Sequence, residues 1–307
     1  MPSYLELYRS GELDDRATRA RVMLDSCHLC PHRCRVDRLI GEVGKCRTAA
    51  EAVVSSYGPH FGEEAPLVGT RGSGTIFFAN CNLRCVFCQN YNISQSGEGE
   101  AVTSQALAGM MLALQSRGCH NINFVTPTHV VPQILSALLI AVDEGLSIPL
   151  VYNCGGYESV ETLKLLDGVI DIYMPDMKCS DERNARELSG VDDYPEANRK
   201  AVKEMHRQVG ALRLDDRGIA TRGLLVRHLV LPNGIADTKG IVEFIAKEIS
   251  KDTYLNIMDQ YRPAYRAYEI PRIARPLHRE EYLEAVNIAA EHGLERLDGV
   301  SRRSFVK

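Results

Sequence analysis

Cys81-Asn82-Leu83-Arg84-Cys85-Val86-Phe87-Cys88 places three cysteines within eight residues, separated by three and then two positions, with an aromatic residue directly before the last. Thiolates this close can reach three corners of one metal cluster. A 4Fe–4S cube held by three cysteines keeps one iron open to a further ligand. Two plainer readings stand beside it: three reduced cysteines in a core, or half of a zinc site. Structural zinc usually takes four ligands as separated cysteine pairs, and no matching pair follows closely here.

Working outward, Thr75–Ala79 directly before this loop reads as a strand, and from about Gly72 short apolar runs alternate with amphipathic stretches. Further strands are expected at Ile122–Thr126, Pro149–Asn153, Val169–Met174, Leu224–Leu231 and Tyr254–Met258. Helices are expected from Thr103 or Ser104 to Gly118, from Pro132 to Gly145, from an Asp237 N-cap to Ser250, and over Arg279–His292 closed by Gly293. Strands alternating with helices imply an α/β fold with a parallel sheet covered by helices. A barrel, a partial barrel and an open doubly wound sheet all fit that order. Parallel sheets carry their chemistry at the C-terminal ends of the strands, which is where the three-cysteine loop falls.

The chain has 307 residues, 45% apolar and 25% charged, as in an ordinary globular enzyme with a sizeable core. A net charge of −4 gives no argument for nucleic acid as the main partner. No apolar run is long enough to span a membrane, and Met1-Pro2-Ser3-Tyr4 does not open a signal peptide. The 10 cysteines are clustered, which favours metal binding in a reducing, cytoplasmic setting over a disulfide framework.

The N-terminal part reads differently. Leu5 to Leu24 forms one amphipathic helix interrupted at Gly11, and Cys27, Cys30, Cys34 and Cys46 follow within twenty residues. Residues 1–65 are therefore expected to be a Cys-rich, metal-binding extension, and residues 66–307 the α/β core. Three close cysteines and one distant fourth look more like iron–sulfur ligation than zinc's paired knuckles, although zinc, with His28 or His32 substituting, fits as well.

The cysteine loop, with Gly72–Cys81, Cys88–Gln95, Asn121–His129, Met174–Lys178 and Gln260–Pro263, resembles the radical S-adenosylmethionine (radical SAM) superfamily, in a branch similar to pyruvate formate-lyase activating enzyme. The resemblance implies a partial (β/α)6 TIM-like barrel, an oxygen-sensitive 4Fe–4S cluster on Cys81, Cys85 and Cys88, and SAM as cofactor or cosubstrate. It also implies that Asp176 and Lys178 contact the methionyl end of SAM, that Arg227 helps hold it, and that Asn153 meets the ribose. The alternatives are a surface ion pair for Asp176 and Lys178, a salt bridge to a buried acid for Arg227, and a turn former for Asn153. Where most members carry a Gly-Gly-Glu type motif for the SAM amino group, this chain has Val125-Thr126-Pro127-Thr128-His129. The hydroxyls of Thr126 and Thr128 can accept from an ammonium but carry no charge. His129 is a candidate substrate base, or else a packed or capping histidine.

Cys154 and Cys179 both follow expected strand ends. A thiol there could give a hydrogen atom to a product radical, as in radical epimerases that resemble this fold; reduced cysteine is also a common small core residue. Three functions follow from the resemblance and its alternatives. The first is an enzyme whose 5′-deoxyadenosyl radical abstracts hydrogen from a small molecule or peptide. The second is an activating enzyme placing a glycyl radical on a partner enzyme. The third is a non-catalytic iron–sulfur electron-transfer or scaffold protein. The first two need a reductant such as flavodoxin or ferredoxin.

Overall fold

Alternating β-rich and amphipathic segments fold into a half-open barrel in the computed structural model, which describes residues 2–299. In chain order the strands are β1 (Ala52–His60), β2 (Ser73–Phe78), β3 (Glu100–Val102), β4 (Ile122–Val125), β5 (Leu150–Cys154), β6 (Ile172–Pro175), β7 (Arg213–Leu214), β8 (Ala220–Leu229) and β9 (Tyr254–Met258). β2, β4, β5, β6, β8 and β9 pair in that order, all parallel. All six strands expected from the sequence are present, displaced by a few residues at most. β1 and β3 extend the sheet antiparallel beyond β2, and β7 adds an antiparallel edge to β8. Because β1 precedes residue 66, the Cys-rich extension and the core share one sheet.

The helices end where local chemistry stops them. Thr103 Oγ1 accepts from the Ala106 N–H at 3.2 Å and starts Ser104–Ser116. Pro132 lies in the first turn of Val131–Asp143, and the Asp237 side chain caps Thr238–Phe244, which continues into a wider π-type turn to Ile249. Gly11, at φ 80°, divides the N-terminal helical segment into Tyr4–Arg9 and Glu12–Val22.

Side chains alternate across each strand. Ile122, Phe124, Leu150, Tyr152 and Tyr173 face outward into a large core shared with the helices. Val151, Ile172, Met174 and Leu225 face inward and close on Leu67, from the short helix Ala65–Val68 that plugs the barrel floor. The N-terminal extension joins the outer core through Tyr4, Leu13, Leu24 and Leu29. Arg38, fully buried, ties it further: its guanidinium donates to Ala49 O at 3.0 and 2.8 Å and to His129 O at 2.9 Å.

Leu67→Ala removes the floor plug and leaves a cavity that rigid strands cannot close. The expected cost is about 2–5 kcal/mol, measured by urea unfolding; a loss under about 1 kcal/mol means the floor is held by something else.

Candidate functional site

The three-cysteine loop begins where β2 ends. Asn80 turns the chain with φ 69°, a conformation asparagine tolerates. The loop is then pinned by backbone bonds from Arg84 to Ser189 O (3.0 Å) and Val86 to Leu188 O (2.9 Å), and by Asn82 Nδ2 donating to Tyr157 O at 2.7 Å. Leu83, Cys85 and Phe87 pack with Tyr157, Cys179 and Tyr261.

The Leu83 N–H points at Cys81 Sγ (3.4 Å), Cys85 Sγ lies 3.4 Å from Ser189 Oγ, and Cys88 Sγ lies 3.0 Å from Ser94 Oγ. Burial, and then repulsion from Cys85, pushes the Cys81 thiol up to about 12, while the Lys178 cation draws it down. Among the described residues no three His, Cys, Asp or Glu side chains are drawn together tightly enough for a single metal ion. A cube asks for something else, because each of its cysteines binds a different iron. One buried and two half-buried thiols with N–H and O–H groups and a lysine beside them are a donor set that fits such a cluster.

Next to the cysteines the barrel lumen is polar. Asp176, directly after β6, accepts from Lys178 Nζ on one oxygen (2.7 Å) and from Arg227 Nε on the other (2.9 Å). Arg227 Nη2 donates on to Asn153 Oδ1 at 2.7 Å. The structure thus brings Asn153, Asp176, Lys178 and Arg227 into one chain of contacts at the C-terminal ends of β5, β6 and β8. Burial opposes the Asp176 anion, but Arg227 and then Lys178 outweigh it and hold its carboxyl below the ordinary value.

Sequence reasoning missed two members of this lumen. Glu63 and Glu64 come from the β1–β2 connection, with carboxylates 3.9 and 4.0 Å from Arg227. Glu64 Oε1 also accepts from Asn256 Nδ2 on β9 (2.9 Å), and burial raises its pKa. Two adjacent acids before Pro66 carry no motif; only the topology folds them inward.

The other candidates lie elsewhere. Thr126 adopts φ 61° beside the lumen, its N–H bonded to Asn153 O at 2.8 Å. The Thr128 hydroxyl instead donates to Glu158 Oε1 at 2.6 Å, outside the lumen. Glu158 also accepts from Tyr152 OH (2.9 Å), and burial pushes its carboxyl up to about 7, with bonds from Thr128, Tyr152 and Cys154 pulling the other way. Cys154 packs in the outer core, where burial first and the nearby Glu158 carboxyl second raise its thiol pKa. Cys179 instead packs against the three-cysteine loop. Strand alternation divides the pair: Asn153 faces the lumen, so Cys154 cannot.

His129 lines a cavity together with Cys27, Cys30, Cys34, Cys46 and Arg38. Its Nε2 bonds Ala79 O (3.0 Å) and its Nδ1 is buried without a partner. Cys34 packs so closely on Gly44 that a Cβ there would stand 2.7 Å from its sulfur. Two contacts join this cavity to the three-cysteine loop. His32 Nε2 lies 2.7 Å from Asn82 O, and Arg84 donates to Lys45 O.

A parallel half-barrel with three cysteines after its first parallel strand, and an Asp–Lys–Arg set beside them, has the form of a radical SAM core. The Radical SAM superfamily's sequence profile matches residues 75–212, and the chain belongs to that superfamily. The uncharacterized protein MJ0674 of Methanocaldococcus jannaschii is 34% identical over 300 residues, covering 95% of this chain and 82% of that one. MJ0808 of the same organism, also uncharacterized, is 26% identical over 302 residues, covering 92% and 81%. Among solved structures, HydG, a maturase of the FeFe-hydrogenase, aligns with a TM-score of 0.49 at 14% identity, over 73% of this chain and 49% of HydG. Superfamily membership implies iron–sulfur, SAM and metal binding. No helix among the described residues is long and apolar enough to cross a membrane.

Glu158 gives a pH test. Its folded-state pKa lies above the unfolded value, so the native state holds the extra proton and stability falls as pH rises from about 4.5 through 7. Wild type is expected to lose urea resistance relative to Glu158→Gln between pH 5 and pH 8; a gain over that interval refutes the assignment.

Proposed function

We propose that the chain is a radical SAM enzyme that binds a 4Fe–4S cluster through Cys81, Cys85 and Cys88 and abstracts hydrogen from a small molecule or peptide. One observation carries this reading. Lys178 is paired with Asp176 at the C-terminal edge of the barrel and also lies within the electrostatic reach of all three cysteines. A reduced cluster there would supply the electron that splits SAM into methionine and a 5′-deoxyadenosyl radical.

The chain's own residues do the rest. Lys178 presents a cation to a carboxylate arriving beside the cysteines. Asp176 keeps Lys178 and Arg227 charged and fixed, so neither needs to reorganise when a zwitterion binds. Asn153, anchored on Arg227, offers its free amide N–H to ribose oxygens, and the Thr126 hydroxyl accepts from the amino group. Thr128, committed to Glu158, supports that turn rather than touching SAM. Leu83, Phe87 and Tyr261 are buried around Cys85 and limit water there, and a dry site protects a radical from stray hydrogen donors. Cys179, beside the loop, is the better placed of the two cysteines for giving back a hydrogen atom.

Cys27, Cys30, Cys34 and Cys46 are proposed to hold a second, iron–sulfur centre in residues 1–65. The His32–Asn82 and Arg84–Lys45 contacts support its placement next to the first centre, as a relay for electrons from a flavodoxin or ferredoxin.

Alanine at any one of Cys81, Cys85 or Cys88 is expected to abolish anaerobic 5′-deoxyadenosine release from SAM with a strong reductant; retained release by all three single variants removes the assignment. In the triple-alanine variant about four irons per chain should remain, as for a cube on four thiolates. One zinc and no iron would make the N-terminal centre structural, and neither metal would dismiss it. Asp176→Ala and Lys178→Ala should each weaken SAM binding by about 1.5–3 kcal/mol with the first cluster intact, read by equilibrium dialysis. Unchanged affinity in both returns the pair to a purely structural role.

A further inference from the structure

Glu63 and Glu64 are not needed for the SAM contacts above, yet they are turned into the same lumen. The segment carrying them fills the open side of the barrel between β2 and β9: His60 packs edge-on against Phe77 of β2, 5.7 Å between ring centres, and Glu64 bonds Asn256 of β9. Neither carboxylate is well partnered. Glu63 oxygens stand 3.4 Å from His60 Nδ1 and 3.9 Å from Arg227 Nη1, beyond the lengths of charge-assisted hydrogen bonds. Glu64 Oε2 is buried with no hydrogen-bond partner.

A second, independent residue points the same way. Asn123 on β4 is 0% exposed, and neither its amide oxygen nor its nitrogen has a partner. Its neighbours Ile122 and Phe124 face the helices, so Asn123 faces the lumen, in register with Thr75 and Val151. Leaving such groups unpaired costs about 1–3 kcal/mol each, a cost a ligand can relieve.

The charge of the missing ligand follows from the acids. Asp176, Glu63 and Glu64 place three carboxyl groups in the lumen against the two permanent cations Arg227 and Lys178, with His60 beside Glu63, so acceptors outnumber donors there. An anion would be repelled, and a neutral apolar group would leave Glu64 Oε2 unpaired. An ammonium brings three N–H donors and a guanidinium five, each with the needed charge.

We propose that the substrate is an organic cation, an amine or guanidine, whose charged end is held by Glu63 and Glu64 with Asn123 on the lumen wall. The proposal rests on the radical SAM reading and names the substrate class of that site. SAM is itself cationic, but the residues assigned to it are Asn153, Asp176, Lys178 and Arg227, and of these Glu63 and Glu64 pair only with Arg227.

The test uses the full chain, reconstituted without oxygen and saturated with SAM. The probes are n-butylammonium, n-butylguanidinium and neutral 1-butanol at pH 7, with binding read by ligand-observed NMR. One of the cations should bind about tenfold more tightly than butanol, the scale of one charge-assisted contact, and Glu63→Gln/Glu64→Gln should erase the difference. Equal binding of cation and alcohol overturns the proposal, as does a preference that survives in the double variant. Loss of SAM affinity in the double variant, with no cation preference in wild type, also overturns it and leaves the carboxylates as positioners of Arg227. If the double variant does not fold, Glu63→Gln alone must lower the preference about threefold, and an unchanged preference is again decisive. Cation preference is read without turnover, so a wild-type chain that prefers cations but cleaves no SAM would sink the radical reading alone.

Discussion

Asp176 accepts Lys178 on one oxygen and Arg227 on the other, and the arrangement of the lumen depends on that doubled contact. Two cations held close together in a sheltered cavity repel each other, and a shared carboxylate is what lets both remain charged and still. Through Arg227 the constraint extends to Asn153 and towards Glu63 and Glu64; through Lys178 it reaches the field of the cysteines. Breaking such a set at its centre costs more than its net stabilising value, because the partners are left behind uncompensated.

How much of this the chain announces depends on the range of the interaction. The six parallel strands and the main helices could be read because alternation, caps and glycines act over a few residues. Thr103, Asp237 and Gly11 each do in the fold what their local chemistry suggests. The short edge strands β3 and β7 gave no comparable signal: three residues and two residues are too few for a period. β1, broken by Gly58 and Pro59, reads as turn-rich although it pairs along most of its length.

The same limit governs the site. Asp176, Lys178 and Arg227 could be placed from a strand-end motif, but Glu63 and Glu64 could not, because what turns them inward is the gap between β2 and β9. For Cys154 the deciding fact is parity. One position earlier, Asn153 looks into the lumen, and the pleat sends the thiol to the helices and to Glu158. Thr128 and His129 fall on the far side of their strand end for a related reason: the tight turn after β4 points them towards the N-terminal extension, where Arg38 binds the His129 carbonyl.

That last contact bears on how anything enters. Arg38 is wholly enclosed, and its donors are satisfied by carbonyls from both the extension and the barrel. Swinging the extension aside would pull Arg38 off the His129 carbonyl, leaving that buried oxygen without its donor, and uncover Tyr4, Leu13 and Leu24 as well. A segment fastened in that way behaves as masonry and not as a door. Residues 259–278 are built differently: short 3-10 turns and exposed tyrosines replace regular strands, and the Arg266 N–H bond to Val86 O ties the segment to the three-cysteine loop.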